Sequence, residues 1–372
     1  MSHLVLAGLL TLCPPWLAEK AVQMLYVVSL PLALRYLLRA RRADADWLAV
    51  LGFPFVYSVV MVWGFYNFCL SLSLLLLSLG YWQRHTGSWR PAVVLKLAAL
   101  LTLLYLAHPM SYLVAGLVLG LLIAADRTRW AALKRELGVL LLAYLPTLPL
   151  LGWYFWHKGA ATNQPAQHYT EHLWNWLRLE PLHYFGSAEG TYRWLLSGLL
   201  TLAIAATLRQ VVQRKSSGWP LLPWALGTLL LLGAYVVLPD AVAGGSITRP
   251  RWGLLSYLVL LGGLATVPWP QRFRWAGLVA GTGLAVALLG FRWQKFRAFQ
   301  VGLAEYALLT PYLRPGTTLL PIACSPPTHL PNAVATDTYI PVLAQVVNYL
   351  ATEQQLLSYE NYEAATGYFP LV

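Results

Sequence analysis

Apolar runs joined by connections that are basic at every second step constrain this chain more than any other feature. The runs are Ala21–Leu38, Trp47–Trp63, Phe68–Trp82, Pro91–Ala107 and Tyr112–Ala125, then Leu137–Trp156, Trp194–Leu208, Trp219–Leu238, Trp252–Trp269 and Trp275–Phe291. A helix of roughly 20 apolar residues crosses the hydrocarbon core of a bilayer. Only helices and closed barrels satisfy their backbone there. Burying all these runs in a water-soluble core would leave too little polar surface. Charged residues make up 11% of the 372-residue chain, against ~25% in soluble domains, and hydrophobic residues reach 58%. The expected fold is an all-α polytopic membrane protein of about ten transmembrane helices.

The basic residues give the orientation. Arg35, Arg39, Arg41 and Arg42 cluster at the end of the first run and just after it, and Arg84, Arg90 and Lys96 between the third run and the early part of the fourth. Arg127, Arg129, Lys134 and Arg135 follow the fifth, Arg209, Arg214 and Lys215 the seventh, and Arg272 and Arg274 the ninth. These clusters, in the loops or at the run ends beside them, hold 16 of the 26 lysines and arginines, which places that side in the cytoplasm by the positive-inside bias. The net charge of +12 is accounted for in this way, so nucleic acid is not an expected partner, whereas membrane lipid is. A bacterial inner membrane with the C-terminus extracytoplasmic is the expected location. Phe53–Trp82 crosses twice, turning at Gly64-Phe65-Tyr66-Asn67, because basic loops flank it on both sides.

The expected domains are a transmembrane part over residues 1–296 and an extracytoplasmic segment over 297–372, a small α/β unit. In that segment Ala298–Tyr312 and Val342–Thr352 read as helices and Thr317–Ala323 as a strand, with prolines between them. Thr170–Glu180, in the long outer loop, has Glu171, Asn175 and Arg178 on one face and Leu173, Trp176 and Leu177 on another. That suits a helix lying in the membrane surface. Leu4–Leu12 reads as a short interfacial segment. Cys13, Cys69 and Cys324 have no metal spacing.

Polar residues at the outer ends of the runs form the candidate site. Arg249 and Arg251, in Gly244-Gly245-Ser246-Ile247-Thr248-Arg249-Pro250-Arg251, oppose the positive-inside bias. A guanidinium offers paired donors to phosphate oxygens, so both are candidates for a lipid phosphate or diphosphate, with headgroup contact or pairing to Asp240 as the plainer explanation. Tyr66, Asn67, His108, Glu19 and Asp240 are candidates for lining an outer cavity. Turn formation at Tyr66-Asn67, capping at His108 and a local ion pair Glu19-Lys20 explain the same residues structurally. No cofactor is evident. The one divalent-metal pattern, Asp44-Ala45-Asp46, adjoins Arg41-Arg42 on the inner face, where charge balance explains it.

Ala18-Glu19-Lys20 leading a run, Phe53-Pro54-Phe55 through Gly64-Phe65-Tyr66-Asn67-Phe68, His108-Pro109, and Leu238-Pro239-Asp240 running to Arg249 together resemble the GT-C class of polytopic membrane glycosyltransferases, including relatives of protein mannosyltransferases. The resemblance covers the layout from Ala18 to Phe291. It implies a polyprenyl-phosphate sugar as substrate at the outer face, and a phosphate role for Arg249. Such enzymes carry their catalytic acid in a large outer loop after the first span, and no such loop precedes Ala21. The resemblance therefore implies either a missing N-terminal part, with this form inactive, or a shared scaffold alone. No catalytic residue is carried over. Rival expectations are a transporter or flippase of an anionic lipid or solute, for which Lys96 is nearly the only mid-span ion, and a non-catalytic membrane scaffold.

Overall fold

The computed structural model describes residues 2–125, 130–157, 169–213, 218–241, 247–320, 348, 350–351 and 354–358. The described residues are predominantly helical. Its α-helices are α1 Ser2–Leu10, α2 Pro15–Arg41, α3 Phe53–Val56, α4 Val59–Val62, α5 Tyr66–His85, α6 Pro91–Ala107 and α7 Pro109–Ala125. They continue as α8 Trp130–Tyr144, α9 Leu148–His157, α10 Tyr169–Leu177, α11 Gly190–Val212, α12 Leu222–Val237, α13 Arg249–Leu264 and α14 Gln271–Ala307. The strands are β1 Thr318–Leu319 and β2 Leu357–Ser358, paired parallel. Two compact units result: Met1–His183 with Gly190–Ala285, and Tyr184–Glu189 with Val286–Val372.

Among the described residues, three helices are long and apolar enough to cross a membrane: Pro15–Arg41, Gly186–Val212 and Gln271–Tyr312. Helices α6, α7 and α12 are apolar but no longer than 17 residues, about 25 Å at 1.5 Å per residue. The apolar runs are thus real helices in most places, but breakers cut two of them. Trp47–Trp63 is not one span. It is a 3-10 stretch, Ala43–Gly52, followed by α3 and α4, with Pro54 at the start of α3 and Ser58 ahead of α4. Leu137–Trp156 is divided between α8 and α9 at Leu145–Thr147, where Pro146 and Pro149 deny the backbone its donors. Conversely, Ala298–Tyr312 is no separate helix. No proline interrupts the chain from Gln271 to Thr310, so α14 continues to Ala307, and a 3-10 turn Thr310–Tyr312 ends it. Residue 296 therefore lies inside α14. Most of the expected helix Val342–Thr352, and Cys324, lie outside the described residues.

In the first unit α5 sits centrally, and buried serines bond it to its neighbours. Ser73 pairs with Ser29 of α2 at 2.8 Å, and Ser71 with Ser111 of α7 at 2.6 Å. Small hydroxyls of this kind let apolar helices approach and bond. Glycine sets two further contacts. A Cβ at Gly277 of α14 would lie 2.0 Å from the Trp47 ring, and one at Gly262 of α13 would lie 2.3 Å from Trp224. Helix α13 is buried along most of its length. Helix α10 forms where the surface helix was expected. It turns His172 inward to the Val236 carbonyl at 3.0 Å and leaves Leu173 and Trp174 exposed.

In the second unit a buried ion pair organises the fold around Glu189. Its carboxylate accepts the Tyr184 and Phe185 backbone N–H groups at 2.7 and 3.0 Å. The Arg292 Nε donates to its other oxygen at 2.6 Å. Glu189 is 0% and Arg292 4% exposed, and Phe185 packs against Phe296 and Phe299.

Candidate functional site

The site is built at the start of α13. Ile247, a β-branched residue, takes a left-handed φ of 57°, a conformation that costs about 1–3 kcal/mol and persists only where its surroundings enforce it. Thr248 then bonds back to Pro239 and Asp240, its hydroxyl donating to their carbonyls at 3.0 and 3.1 Å. The Asp240 carboxylate accepts the Arg249 N–H at 2.9 Å. Asp240 thereby satisfies one of the orphan donors of the first helical turn. Into that turn the sequence puts two cations, Arg249 and Arg251. A helix start carries partial positive charge and disfavours them, whereas it attracts anions.

Arg251 is 7% exposed. Its guanidinium lies over Phe65 at 4.3 Å and near Phe68 at 5.6 Å, both at the start of α5. Its Nη1 stands 3.5 Å from Nε2 of His108, which joins α6 to α7 and meets Phe68 edge-on at 5.2 Å. The His108 position follows from Pro109, which forces its backbone into the extended region, φ −162°. The tautomer follows from its other nitrogen. Nδ1 accepts the Met110 N–H at 3.3 Å, so a neutral ring carries its proton on Nε2. Nε2 and Nη1 are then both donors, and the 3.5 Å gap between them is one that a shared acceptor would bridge. The Nε atoms of Arg249 and Arg251 are both buried without a hydrogen-bond partner, and among the described residues neither arginine forms an ion pair.

Of the other expected residues, Glu19, Tyr66 and Asn67 fall beside Phe65 at the start of α5, and the Asp44-Ala45-Asp46 pair lies elsewhere. Tyr66, next to Phe65, donates its hydroxyl to Glu19 Oε1 at 2.7 Å, and the Gln23 amide donates to both, at 2.8 and 3.2 Å. Glu19 at the start of α2 is thus held on the first turn of α5. Asn67 is half-buried in that turn. The Asp44-Ala45-Asp46 carboxylates turn to separate partners. Asp44 takes Arg42 at 3.0 Å and the Trp269 N–H at 3.1 Å, and Asp46 takes Arg35 at 3.5 Å. Burial pushes Asp44 up, but those donors outweigh it and hold the carboxyl below its ordinary value.

Sequence reasoning missed Glu180. It follows Leu179, which adopts a left-handed φ of 56°, and it accepts a short hydrogen bond from Tyr235 of α12. Burial raises its carboxyl above the usual range. The Tyr235 hydroxyl, Arg249 and His172 oppose that rise, and Asp240 adds to it. Tyr257 of α13 donates to the Trp176 carbonyl and stacks on its ring at 5.1 Å. No periodicity marks these residues; a lone glutamate before Pro181, between two apolar runs, was the available signal. No protein-family model, curated protein or solved structure matches the chain.

Proposed function

We propose that the protein crosses a bacterial inner membrane about ten times with its C-terminal segment outside, and that it is a glycosyltransferase-like protein acting on a polyprenyl-phosphate sugar at the outer face. What carries this reading is the buried Arg251 guanidinium, set donor to donor against His108 at the start of α13. Asp240 acts on Arg251 only through space, and among the described residues no carboxylate pairs with it. A buried cation without a paired counter-charge costs several kcal/mol, of order 3–5 when its partner is removed. A lipid phosphate would bring a directly paired charge and acceptors to the buried Nε groups of Arg251 and Arg249, beside His108. In the reaction an acceptor hydroxyl oxygen attacks the anomeric carbon and the bond from that carbon to the phosphate oxygen breaks. The phosphate keeps the electron pair and is stabilised by the arginines. The hydroxyl proton passes to a carboxylate, for which Glu19, oriented by Tyr66 and Gln23, is the residue we assign. Short helices such as α6, α7 and α12 complete the crossings where the bilayer thins or the helix ends are shielded by neighbours.

The test is binding of a polyprenyl monophosphate to the purified full chain, with sugar turnover and lipid transport measured in parallel vesicles. Wild type is expected to bind, and Arg251→Met to lose at least about tenfold in affinity. Binding and turnover unchanged in both Arg251→Met and His108→Ala would remove the site. Transport without turnover, lost in the same variants, would replace the transferase reading by a flippase.

A further inference from the structure

A cleft lies beside the Arg35 end of α2, between it, the 3-10 stretch Ala43–Gly52 and the start of α14. Its cleft encloses about 580 Å³, within the ~300–1,000 Å³ range of small-ligand sites. One wall is apolar, made by Leu32, Val50, Phe53 and Leu278, and Leu32 and Phe53 are exposed. The polar end gathers Arg35, Asp46, Gln271 and Arg274. Arg35 and Asp46 pair at 3.5 Å, which leaves the Arg274 charge in excess.

The cleft exists because α14 approaches the 3-10 stretch closely. Gly277 meets the Trp47 ring, and a Cβ at Gly281 would come within 2.9 Å of Val50. The helix is thus pinned along its glycine face, and Trp275 is left exposed at the rim. A tryptophan, an unbalanced arginine and an amide above a greasy wall match the layers of one lipid leaflet. The excess of one cation matches the single negative charge of a phosphodiester.

We propose that this cleft holds one anionic diacyl phospholipid of the inner leaflet. Its phosphate lies between Arg274 and Arg35 with the Gln271 amide on a phosphate or glycerol oxygen, and one acyl chain lies along Leu32, Phe53 and Leu278. The site is separate from Arg251 and His108 and does not depend on their chemistry.

The experiment is thermal unfolding of the purified full chain in maltoside detergent, titrated with phosphatidylglycerol, phosphatidylcholine or inorganic phosphate. Phosphatidylglycerol is expected to raise the midpoint by about 3 °C or more at saturation. Phosphatidylcholine and inorganic phosphate are expected to leave it unchanged. In the Arg35→Gln/Arg274→Gln double variant, and separately in Leu32→Trp, which fills the apolar wall, the phosphatidylglycerol shift is expected to disappear. Arg251→Met is expected to keep it. Equal shifts with both phospholipids, a shift with inorganic phosphate alone, or a full phosphatidylglycerol shift in the double variant would each overturn the proposal. The unliganded midpoint of each variant shows whether it folds. Should the double variant fail to fold, Leu32→Trp carries the decision alone, a full shift there overturning the site.

Discussion

Arg251 Nη1 and His108 Nε2 face each other across 3.5 Å, and neither is an acceptor once Met110 has fixed the imidazole tautomer. A structural arginine and a ligand-binding arginine differ in what their removal does to the empty protein. Arg251 stacks on Phe65 and Phe68, and a desolvated cation–π contact is worth about 2 kcal/mol. Leaving its charge buried without a paired carboxylate, Asp240 acting only at a distance, costs at least as much. Arg251→Met, which keeps the apolar stem in place, is therefore expected to unfold within about 1 kcal/mol of wild type or above it, while losing polyprenyl phosphate binding. A loss of more than about 3 kcal/mol in the unliganded variant would make Arg251 a structural residue.

Glu180 is expected to make stability pH-dependent. Its carboxyl is raised in the folded protein, chiefly by burial. A raised group contributes stability that is complete below its unfolded value, about 4.3 for glutamate, and that is lost as pH rises through the folded value. Glu180→Gln keeps an acceptor for Tyr235 and does not titrate. Relative to this variant, wild type should lose ground from about pH 4.3 upward, read as unfolding midpoints across a pH series. Parallel curves would show that the Glu180 carboxyl is not raised.

The ion pair of the second unit is expected to be costly to break. Glu189 and Arg292 are buried and hydrogen-bonded throughout, so Glu189→Gln or Arg292→Met alone should destabilise by about 3–5 kcal/mol. The double variant Glu189→Gln/Arg292→Met leaves no charge behind and should recover part of that loss. Denaturant unfolding of the four proteins gives the coupling directly.

Gly277→Ala is expected to destabilise by about 1–3 kcal/mol through overpacking, because the new methyl would meet a ring carbon of Trp47 at 2.0 Å. Combining it with Trp47→Leu should return some of the loss, since the smaller side chain opens the contact. A neutral Gly277→Ala, measured by thermal unfolding, would mean that α14 does not run so close.

The proposed sidedness rests on the basic loops and is open to labelling. In a chain with Cys13, Cys69 and Cys324 replaced by serine, Gly244→Cys is expected to react with an impermeant thiol reagent added outside intact cells, and Ser216→Cys only after permeabilisation. The reverse pattern would place the Arg251 end of the molecule in the cytoplasm.

Helices were legible in most of the apolar runs, including α2, which continues through Pro31. α2, α5, α6, α7 and α12 lie close to the runs that announced them, and the Thr170–Glu180 pattern returns as α10. The run Trp47–Trp63 was not legible, because hydropathy is nearly uniform through Pro54 and Ser58 while the backbone is not. Glu19, Tyr66, His108 and Arg251 were visible as polar residues at run ends, but their partnerships were not. Glu19 reaches Tyr66 across 47 residues and His108 reaches Arg251 across 143, and no local spacing encodes either. The split between the two arginines was likewise hidden. Arg251 points inward onto α5, whereas Arg249 meets the field of Glu180, a carboxylate that no pattern had singled out.

Segment 43–62 carries a consequence for how the protein is made. Its backbone follows no helix longer than a few turns, so it cannot saturate its own N–H and C=O groups in lipid, and most of its residues from Ala45 to Val60 are buried by protein instead. Gly52 needs α2 and α13 beside it, Trp47 needs the Gly277 face of α14, and Asp44 bonds Trp269, 225 residues further on. An insertion machine reading from the N-terminus therefore meets this stretch long before its shelter has been translated. In the proposed membrane fold, the stretch reaches its final shelter only after the Gly277 face of α14 has emerged.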